Sequence, residues 1–149
     1  MYVDPRALRF AAWITTAVLA VVLLTGNWVL LAVQTAIFAV GAFAGLRWSP
    51  YGLVYRLLVA PRLAPPAELE PAAPPRFAQG VGFAFAVAGT LGYASGLTAL
   101  GVVATGCALA AAFLNAAFGL CLGCELYLLI RRIIPTKATR THSNKGAAA

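Results

Sequence analysis

Two cysteines three residues apart are the residues in this chain best suited by type and spacing to chemistry. Cys121 and Cys124 form a Cys-Leu-Gly-Cys motif, and the 149-residue chain has only one other cysteine, Cys107. Two thiols at this spacing can form a disulfide, bind a soft metal as thiolates, or exchange electrons with another dithiol. We favour a redox or sulfur-handling dithiol, and a metal site or structural cysteines remain the alternatives. Cys107 lies within an apolar run and is interpreted as a small buried residue.

Three residues near the motif complete the candidate site. Asn115 is polar inside an apolar run, so we expect it to face other helices rather than lipid. Glu125 follows Cys124 directly and either opposes thiolate formation or accepts a proton, and Tyr127 supplies a hydroxyl. The candidate catalytic residues are therefore Asn115, Cys121, Cys124, Glu125 and Tyr127.

The start of a helix would favour the thiolate form of Cys121. If Gly119 ends one helix and a new helix begins near Leu120, Cys121 lies in the first turn, where free backbone N–H groups lower a thiol pKa. A metal site within one protomer lacks ligands, because zinc usually takes four and the single histidine, His142, lies in the polar tail. We therefore expect no metal and no other cofactor.

The composition indicates that these residues are positioned by membrane helices. The chain is 62% hydrophobic and 10% charged, whereas a soluble domain has roughly 45–50% apolar and about 25% charged residues. Two apolar blocks, residues 10–46 and 77–124, each contain a short polar break. A helix crosses ~30 Å of hydrocarbon in about 20 residues, so each block accommodates two crossings. The predicted spans cover about residues 10–25, 28–46, 78–95 and 98–119.

The positions of the basic residues predict the orientation. All 11 Lys and Arg residues fall at the N-terminus, between residues 47 and 76, or after residue 125. Because cytoplasmic loops retain positive charge, both termini are predicted to be cytoplasmic. The net charge of +7 is explained by arginines that flank spans and meet anionic lipid, and we expect no nucleic-acid binding. The spans contain no Asp, Glu, Lys, Arg or His, which argues against a secondary transporter.

A weak internal repeat has an offset of 67 residues. Arg9-Phe10-Ala11 matches Arg76-Phe77-Ala78, and Tyr51-Gly52-Leu53 falls on Phe118-Gly119-Leu120. The repeat predicts two helical hairpins related by an axis along the membrane normal. The predicted fold is thus an all-α membrane protein with four transmembrane helices as two tandem hairpins, and with short interfacial helices on the cytoplasmic side.

The segments outside the spans have distinct compositions. The run that begins at Pro50 predicts a short helix in the headgroup region. Residues 61–75 contain six prolines, which predicts an extended cytoplasmic linker. Residues 1–134 thus form the membrane domain, and residues 135–149 form a basic cytoplasmic tail that we expect to be disordered.

Several motifs together resemble one bacterial family of membrane proteins. They are Val3-Asp4-Pro5-Arg6, Arg9-Phe10-Ala11, Ser49-Pro50-Tyr51-Gly52, Pro65-Pro66-Ala67-Glu68-Leu69-Glu70, Pro74-Pro75-Arg76-Phe77-Ala78-Gln79 and Leu114-Asn115-Ala116-Ala117-Phe118-Gly119 leading into Cys121-Leu122-Gly123-Cys124-Glu125. This pattern resembles the family called domain of unknown function 4395, over about residues 3 to 132. The resemblance implies a bacterial, specifically actinobacterial, inner-membrane protein in which the cysteine pair belongs to the family pattern. It implies no activity.

The cytoplasmic position of the cysteine pair suggests its partners. The cytoplasm is reducing, which disfavours a permanent disulfide but allows a transient one. Our first hypothesis is thiol–disulfide exchange or sulfur relay with a cytosolic thioredoxin-like or sulfurtransferase protein. Cys121 would attack the partner, and Cys124 would resolve the mixed intermediate.

Two other hypotheses remain open. The chain is alternatively a non-catalytic subunit or scaffold that holds a partner through the proline-rich linker and the tail. A weaker third hypothesis is a permease for small sulfur compounds. Whether the protein is an enzyme is left open by the sequence.

Overall fold

The described part of the chain is predominantly helical, as the sequence predicts. The computed structural model describes residues 2–66 and 68–134, so the predicted tail at 135–149 lies outside the described residues. The helices are α1 (Pro5–Thr25), α2 (Trp28–Ala39), α3 (Pro50–Val54), α4 (Ala73–Ala94), α5 (Thr98–Phe118) and α6 (Leu122–Ile133). Helical turns extend α2 through Val40–Ala44 and α3 through Tyr55–Val59, and short turns follow at Leu46–Trp48 and Ala60–Arg62. Strands β1 (Tyr2–Val3) and β2 (Glu70–Pro71) pair antiparallel.

Three of these helices are long and apolar enough to cross a membrane, namely α1, α4 and α5. The helix Trp28–Ala44 is also apolar but shorter. Polar side chains begin the first two helices, because Asp4 accepts from the Arg6 backbone N–H at 2.8 Å and Asn27 accepts from Val29 and Leu30. These caps satisfy N–H groups that have no partner within the helix.

The first helix begins earlier than hydropathy suggests. It starts at Pro5 rather than near residue 10, and Pro5 suits the first turn because its fixed φ matches the helix. Arg6 and Arg9 are therefore helical residues. Hydropathy placed the start later because it registers these charges but not the cap at Asp4.

The predicted extended linker at residues 61–75 is wrong at both ends. Pro61 lies in the short turn Ala60–Arg62, and Pro74 and Pro75 lie in the first turn of α4. Proline disrupts a helix only where its missing N–H would have been bonded, and first-turn residues have no such bond. The connection therefore contains less extended chain than its prolines suggest.

The three long helices and the shorter helix that begins at Trp28 pack as a ring. In this ring α1 contacts α5, α5 contacts α4, α4 contacts the helix from Trp28, and that helix contacts α1. The core includes Leu19, Leu31, Phe38 and Ala86. Small residues let backbones approach, since a methyl group on Gly92 would lie 2.6 Å from the Gly101 nitrogen.

The gapless offset of 67 residues does not extend along the whole repeat. Arg9 is the fifth residue of α1 and Arg76 is the fourth residue of α4, so the starts of these helices agree with the offset to within one residue. Gly52, however, lies inside α3, whereas Gly119 ends α5. The offset fails at this point because the second long helix of each half ends at a different distance from the start of that half.

Candidate functional site

The cysteine motif lies directly after a sharp helix end. Gly119 ends α5 with φ 69°, a left-handed conformation that favours glycine. Its N–H donates to the Asn115 carbonyl at 3.0 Å, and the Leu120 N–H donates to the Leu114 carbonyl at 3.3 Å. The chain therefore turns within three residues, and α6 leaves in a new direction at Leu122.

Cys121 and Cys124 are paired at disulfide distance across the start of α6. Cys121 has an extended backbone and occupies the N-cap position, and its carbonyl accepts from the Glu125 N–H at 3.0 Å. Cys124 lies in the first turn, and the two Cα atoms are 5.2 Å apart, within the usual disulfide range of roughly 4.4–6.8 Å. Both residues are half-buried. The prediction of a new helix near Leu120 is thus correct to within two residues.

The motif rests on the backbone of α4. A methyl group on Gly123 would come within 2.6 Å of the Ala78 Cα and Cβ, so glycine at this position allows the helices to touch. Farther along, the Tyr127 ring packs against Phe77 with centroids 5.7 Å apart. The Arg131 guanidinium lies 5.9 Å from the same tyrosine ring. Tyr127 therefore holds α6 against α4.

Arg9 contacts the helix that leads into the motif. Its guanidinium donates to the Ala116 carbonyl at 3.3 Å, one of the carbonyls that lose their helical partner at the end of α5. This bond ties the first turns of α1 to the last turn of α5. The cysteine pair is thus positioned from α4 on one side and from α1 through α5 on the other.

A cavity of about 1190 Å³ opens at this end of the bundle. Four of the five predicted site residues line it: Asn115, Cys121, Cys124 and Glu125. Tyr127 does not, because its ring faces Phe77. The structure therefore brings four candidates to one space and gives the fifth a packing role.

The charged lining residues of the cavity come from segments at one end of the bundle. They are Asp4, Arg9, Arg47, Arg56, Glu70 and Glu125. The deeper lining is apolar or weakly polar and includes Thr15, Phe38, Phe85 and Cys107. Cys107 lies eleven residues before the last residue of α5, or roughly 16 Å along the helix. The cavity thus joins a charged mouth to an apolar interior.

Sequence reasoning missed several of these lining residues. Cys107 was interpreted as buried, but it is exposed and lines the cavity. Gln79 and Arg9 belong to motifs that the resemblance had already picked out, so that signal was available. Thr15 lies in a plain apolar run, and no pattern in the sequence marks it.

The first half of the chain contributes a similar turn to the cavity. At an offset of 72 residues, Ser49 matches Cys121 and Tyr55 matches Tyr127. Ser49 precedes α3 as Cys121 precedes α6, and it lines the same cavity. Tyr55 packs on Phe10 with centroids 5.7 Å apart, as Tyr127 does on Phe77. Val54 and Leu57, which lie 67 residues before Cys121 and Cys124, are therefore not the counterparts of the cysteines.

In residues 2–66 and 68–134, no group of three or more His, Cys, Asp or Glu side chains is placed to hold a metal ion. Glu125 is exposed beside the pair. The candidate site therefore combines a dithiol or disulfide with the neighbouring Glu125 carboxylate, at the mouth of a largely apolar cavity. Such a pair can exchange two electrons and two protons.

Neither the comparison with curated proteins nor the comparison with solved structures finds a match to this chain. A family model does match, over residues 3–132, which include the helices of the bundle, the cysteine pair and nearly all of the cavity lining. The chain therefore belongs to the family described as a domain of unknown function, DUF4395.

Proposed function

We propose that this protein is a bacterial inner-membrane thiol–disulfide exchange or sulfur-relay protein, with the Cys121–Cys124 pair on the cytoplasmic face. The observation that carries the proposal is the pairing of two half-buried cysteines at the mouth of the cavity. Cysteines with a purely structural role would not need to lie at the mouth of a cavity. Its partner is a cytosolic thioredoxin-like or sulfurtransferase protein.

Four membrane crossings are the topology that the helix arrangement supports best. The helix Trp28–Ala44 is about 25 Å long at ~1.5 Å per residue, close to the ~30 Å of a hydrocarbon core. It packs along α4, and its one amide side chain, Gln34, is buried and accepts from the Tyr51 hydroxyl at 2.7 Å. A helix whose polar side chain faces the interior of the bundle is suited to crossing a bilayer.

The charges support cytoplasmic termini. In the described part of the chain, basic side chains come from the N-terminal turns of α1 and α4 and from segments that follow Ala44 and Phe118. Arg76 donates to the Ala42 carbonyl at 3.0 Å, and Arg9 donates to the Ala116 carbonyl, so these segments meet at one end. The turns at the other end, around Asn27 and Gly96, have no charge.

Two tandem hairpins are supported by the packing. The first helix of each half contacts the second helix of the other half, since α1 packs on α5 and α4 packs on the helix from Trp28. Likewise, α3 packs on α1, and α6 packs on α4. A twofold axis along the membrane normal would relate these pairs and pass through the cavity.

The thiol–disulfide exchange needs no reactant other than the Cys121–Cys124 pair and the cysteine pair of the partner. The Cys121 thiolate attacks a partner disulfide, one partner thiolate leaves, and a mixed disulfide forms. The Cys124 thiolate then attacks the Cys121 sulfur, which closes the Cys121–Cys124 disulfide and releases the second partner thiol. The partner gains two electrons and two protons, and the reverse sequence oxidises it. In this proposal, Glu125, the next residue along the chain, takes the proton from the resolving thiol.

The experiment is a trapping test in membranes with Cys107 replaced by alanine. The Cys124→Ser variant should accumulate a mixed disulfide with a cytosolic partner, because its resolving thiol is gone. The Cys121→Ser variant should accumulate none. Full exchange in both variants would refute the proposal.

A scaffold role makes the opposite prediction. In that case, partner capture survives replacement of both cysteines and is lost when the exposed proline-containing segment 61–66 is deleted.

A further inference from the structure

We propose that the cavity binds an isoprenoid quinone, and that the quinone accepts the two electrons of the reduced Cys121–Cys124 pair. This inference rests on the proposed function, because it supplies the second substrate of the same dithiol. Three properties of the cavity carry it: its reach into the bundle, the chemistry of its lining, and the position of the cysteines.

The cavity reaches from the cysteines to the middle of the bundle. Thr15 is ten residues into α1 and Cys107 is eleven residues from the end of α5, so both lie roughly 15 Å from the charged end. This is about half of a ~30 Å hydrocarbon core. A volume of about 1190 Å³ is slightly above the ~300–1,000 Å³ typical of ligand sites. A quinone ring with its first isoprene units is an occupant of this size.

The lining suits a ring with two carbonyl oxygens and an apolar tail. Deep residues such as Phe38, Phe85 and Ala111 are apolar, and the charged side chains stay at the mouth. The amides of Asn115 and Gln79 line the same space, and amide N–H groups donate to carbonyl oxygens. A charged or sugar-like ligand would leave its polar groups unpaired in the deep part.

The redox step balances without a further reactant. One thiolate of the pair adds to a ring carbon of the quinone, and the second attacks the sulfur of that adduct. The S–S bond forms, the C–S bond breaks, and its electron pair stays on the ring as a hydroquinone anion. Two thiol protons end on the two ring oxygens, and Glu125 at the mouth is placed to transfer one of them. The pair is left oxidised and ready to accept electrons from a partner dithiol.

Binding is tested apart from redox chemistry by alkylation of Cys107. With Cys121→Ser and Cys124→Ser, Cys107 is the one thiol left, and it lines the cavity. A fully ring-substituted decylbenzoquinone should slow its alkylation in detergent at least fivefold, whereas decanol, which has the chain without the ring, should not. Equal protection by both would indicate an alkyl-chain or lipid site, and no protection would indicate an empty cavity. Either result overturns the inference.

Electron transfer is tested with the reduced full-length protein that carries Cys107→Ala, without oxygen. The same quinone should yield one quinol per disulfide formed, and Cys124→Ser should yield none. Ala111→Leu, which fills the cavity, should slow the reaction at least tenfold, while Ala99→Leu, on an exposed part of α5 outside the lining, should not.

The outcomes separate the inference from the proposed function. A pair that exchanges with thioredoxin but leaves the quinone unreduced overturns the inference alone. A pair that reacts with neither overturns both.

Discussion

Gly123 in α6 lies against the backbone of Ala78 in α4 so closely that no side chain fits between them. A methyl group on Gly123 would lie 2.6 Å from the Ala78 Cα. Because Cys124 is the next residue, this contact fixes the orientation of the cysteine pair relative to the bundle. The first prediction tests that relationship.

Gly123→Ala should push α6 away from α4. Overpacking of this kind costs about 1–3 kcal/mol, and the displaced pair should react with a thiol reagent at a different rate from that of the native protein. Thermal unfolding in detergent and the alkylation rate of the reduced pair measure the two effects. Gly80→Ala is the matched control, because no atom lies within 4 Å of its added methyl group. If Gly123→Ala behaved like Gly80→Ala, the contact would have no positioning role.

Arg76→Gln should loosen the end of the second long helix. The Arg76 guanidinium donates to the carbonyls of Ala42 and Phe43 at 3.0–3.3 Å, where the helix turns toward Gly45. Because the guanidinium is exposed to solvent, loss of these hydrogen bonds costs about 0.5–1.5 kcal/mol. Proteolysis near Gly45 and thermal unfolding report the change. Arg62→Gln, on an exposed turn, is the control, and equal effects of the two variants would contradict the account.

Tyr55 should make stability fall at alkaline pH. Burial raises the pKa of Tyr55, and the hydrogen bond that it donates to Asp4 at 3.1 Å and the Asp4 charge raise it further. A pKa raised on folding means that the contribution is complete below pH 10.0, the ordinary tyrosine value, and is lost as pH rises through the higher folded value.

The measurement compares unfolding of the native protein and Tyr55→Phe between pH 8 and pH 12. At pH 8 the variant should be less stable by about 0.5–1.5 kcal/mol, and the difference should shrink above pH 10.0. A difference that is constant with pH would show that the hydroxyl does not titrate in this way.

The proposed topology predicts opposite labelling of the two ends of the bundle. In a variant without native cysteines, Arg62→Cys should react with a membrane-impermeant maleimide only after the cells are opened. Ser95→Cys, in the turn between α4 and α5, should react in intact cells once the outer layers allow access. Labelling of both sites from the same side would contradict an even number of crossings with cytoplasmic termini.

The sequence predicted the helical class because its two apolar blocks, divided at Gly26-Asn27 and near Gly92-Tyr93-Ala94-Ser95-Gly96, each have the length of two membrane-crossing helices. It placed the turn before Cys121 correctly, because Gly119 is a strong helix terminator and actually adopts a positive φ. It misplaced the start of α4, because Pro74 and Pro75 were interpreted by composition rather than by position in a first turn.

The cavity could not be predicted from the sequence. Its lining combines Thr15 from α1, Gln79 from α4, Cys107 from α5 and Cys124 from α6, and no local pattern links residues so far apart. The same reason explains Tyr127: proximity in sequence suggested a catalytic hydroxyl, but the partner that decides its orientation, Phe77, lies fifty residues earlier.

The proposed redox function is tested most directly by a thiol-trapping redox titration of Cys121 and Cys124 in native membranes, with Cys107 replaced by alanine. The two cysteines should form a reversible disulfide with a potential of about −180 to −300 mV, the range of exchange proteins. Thiols that remain reduced and unreactive at every potential, or a disulfide that never reopens, would contradict it.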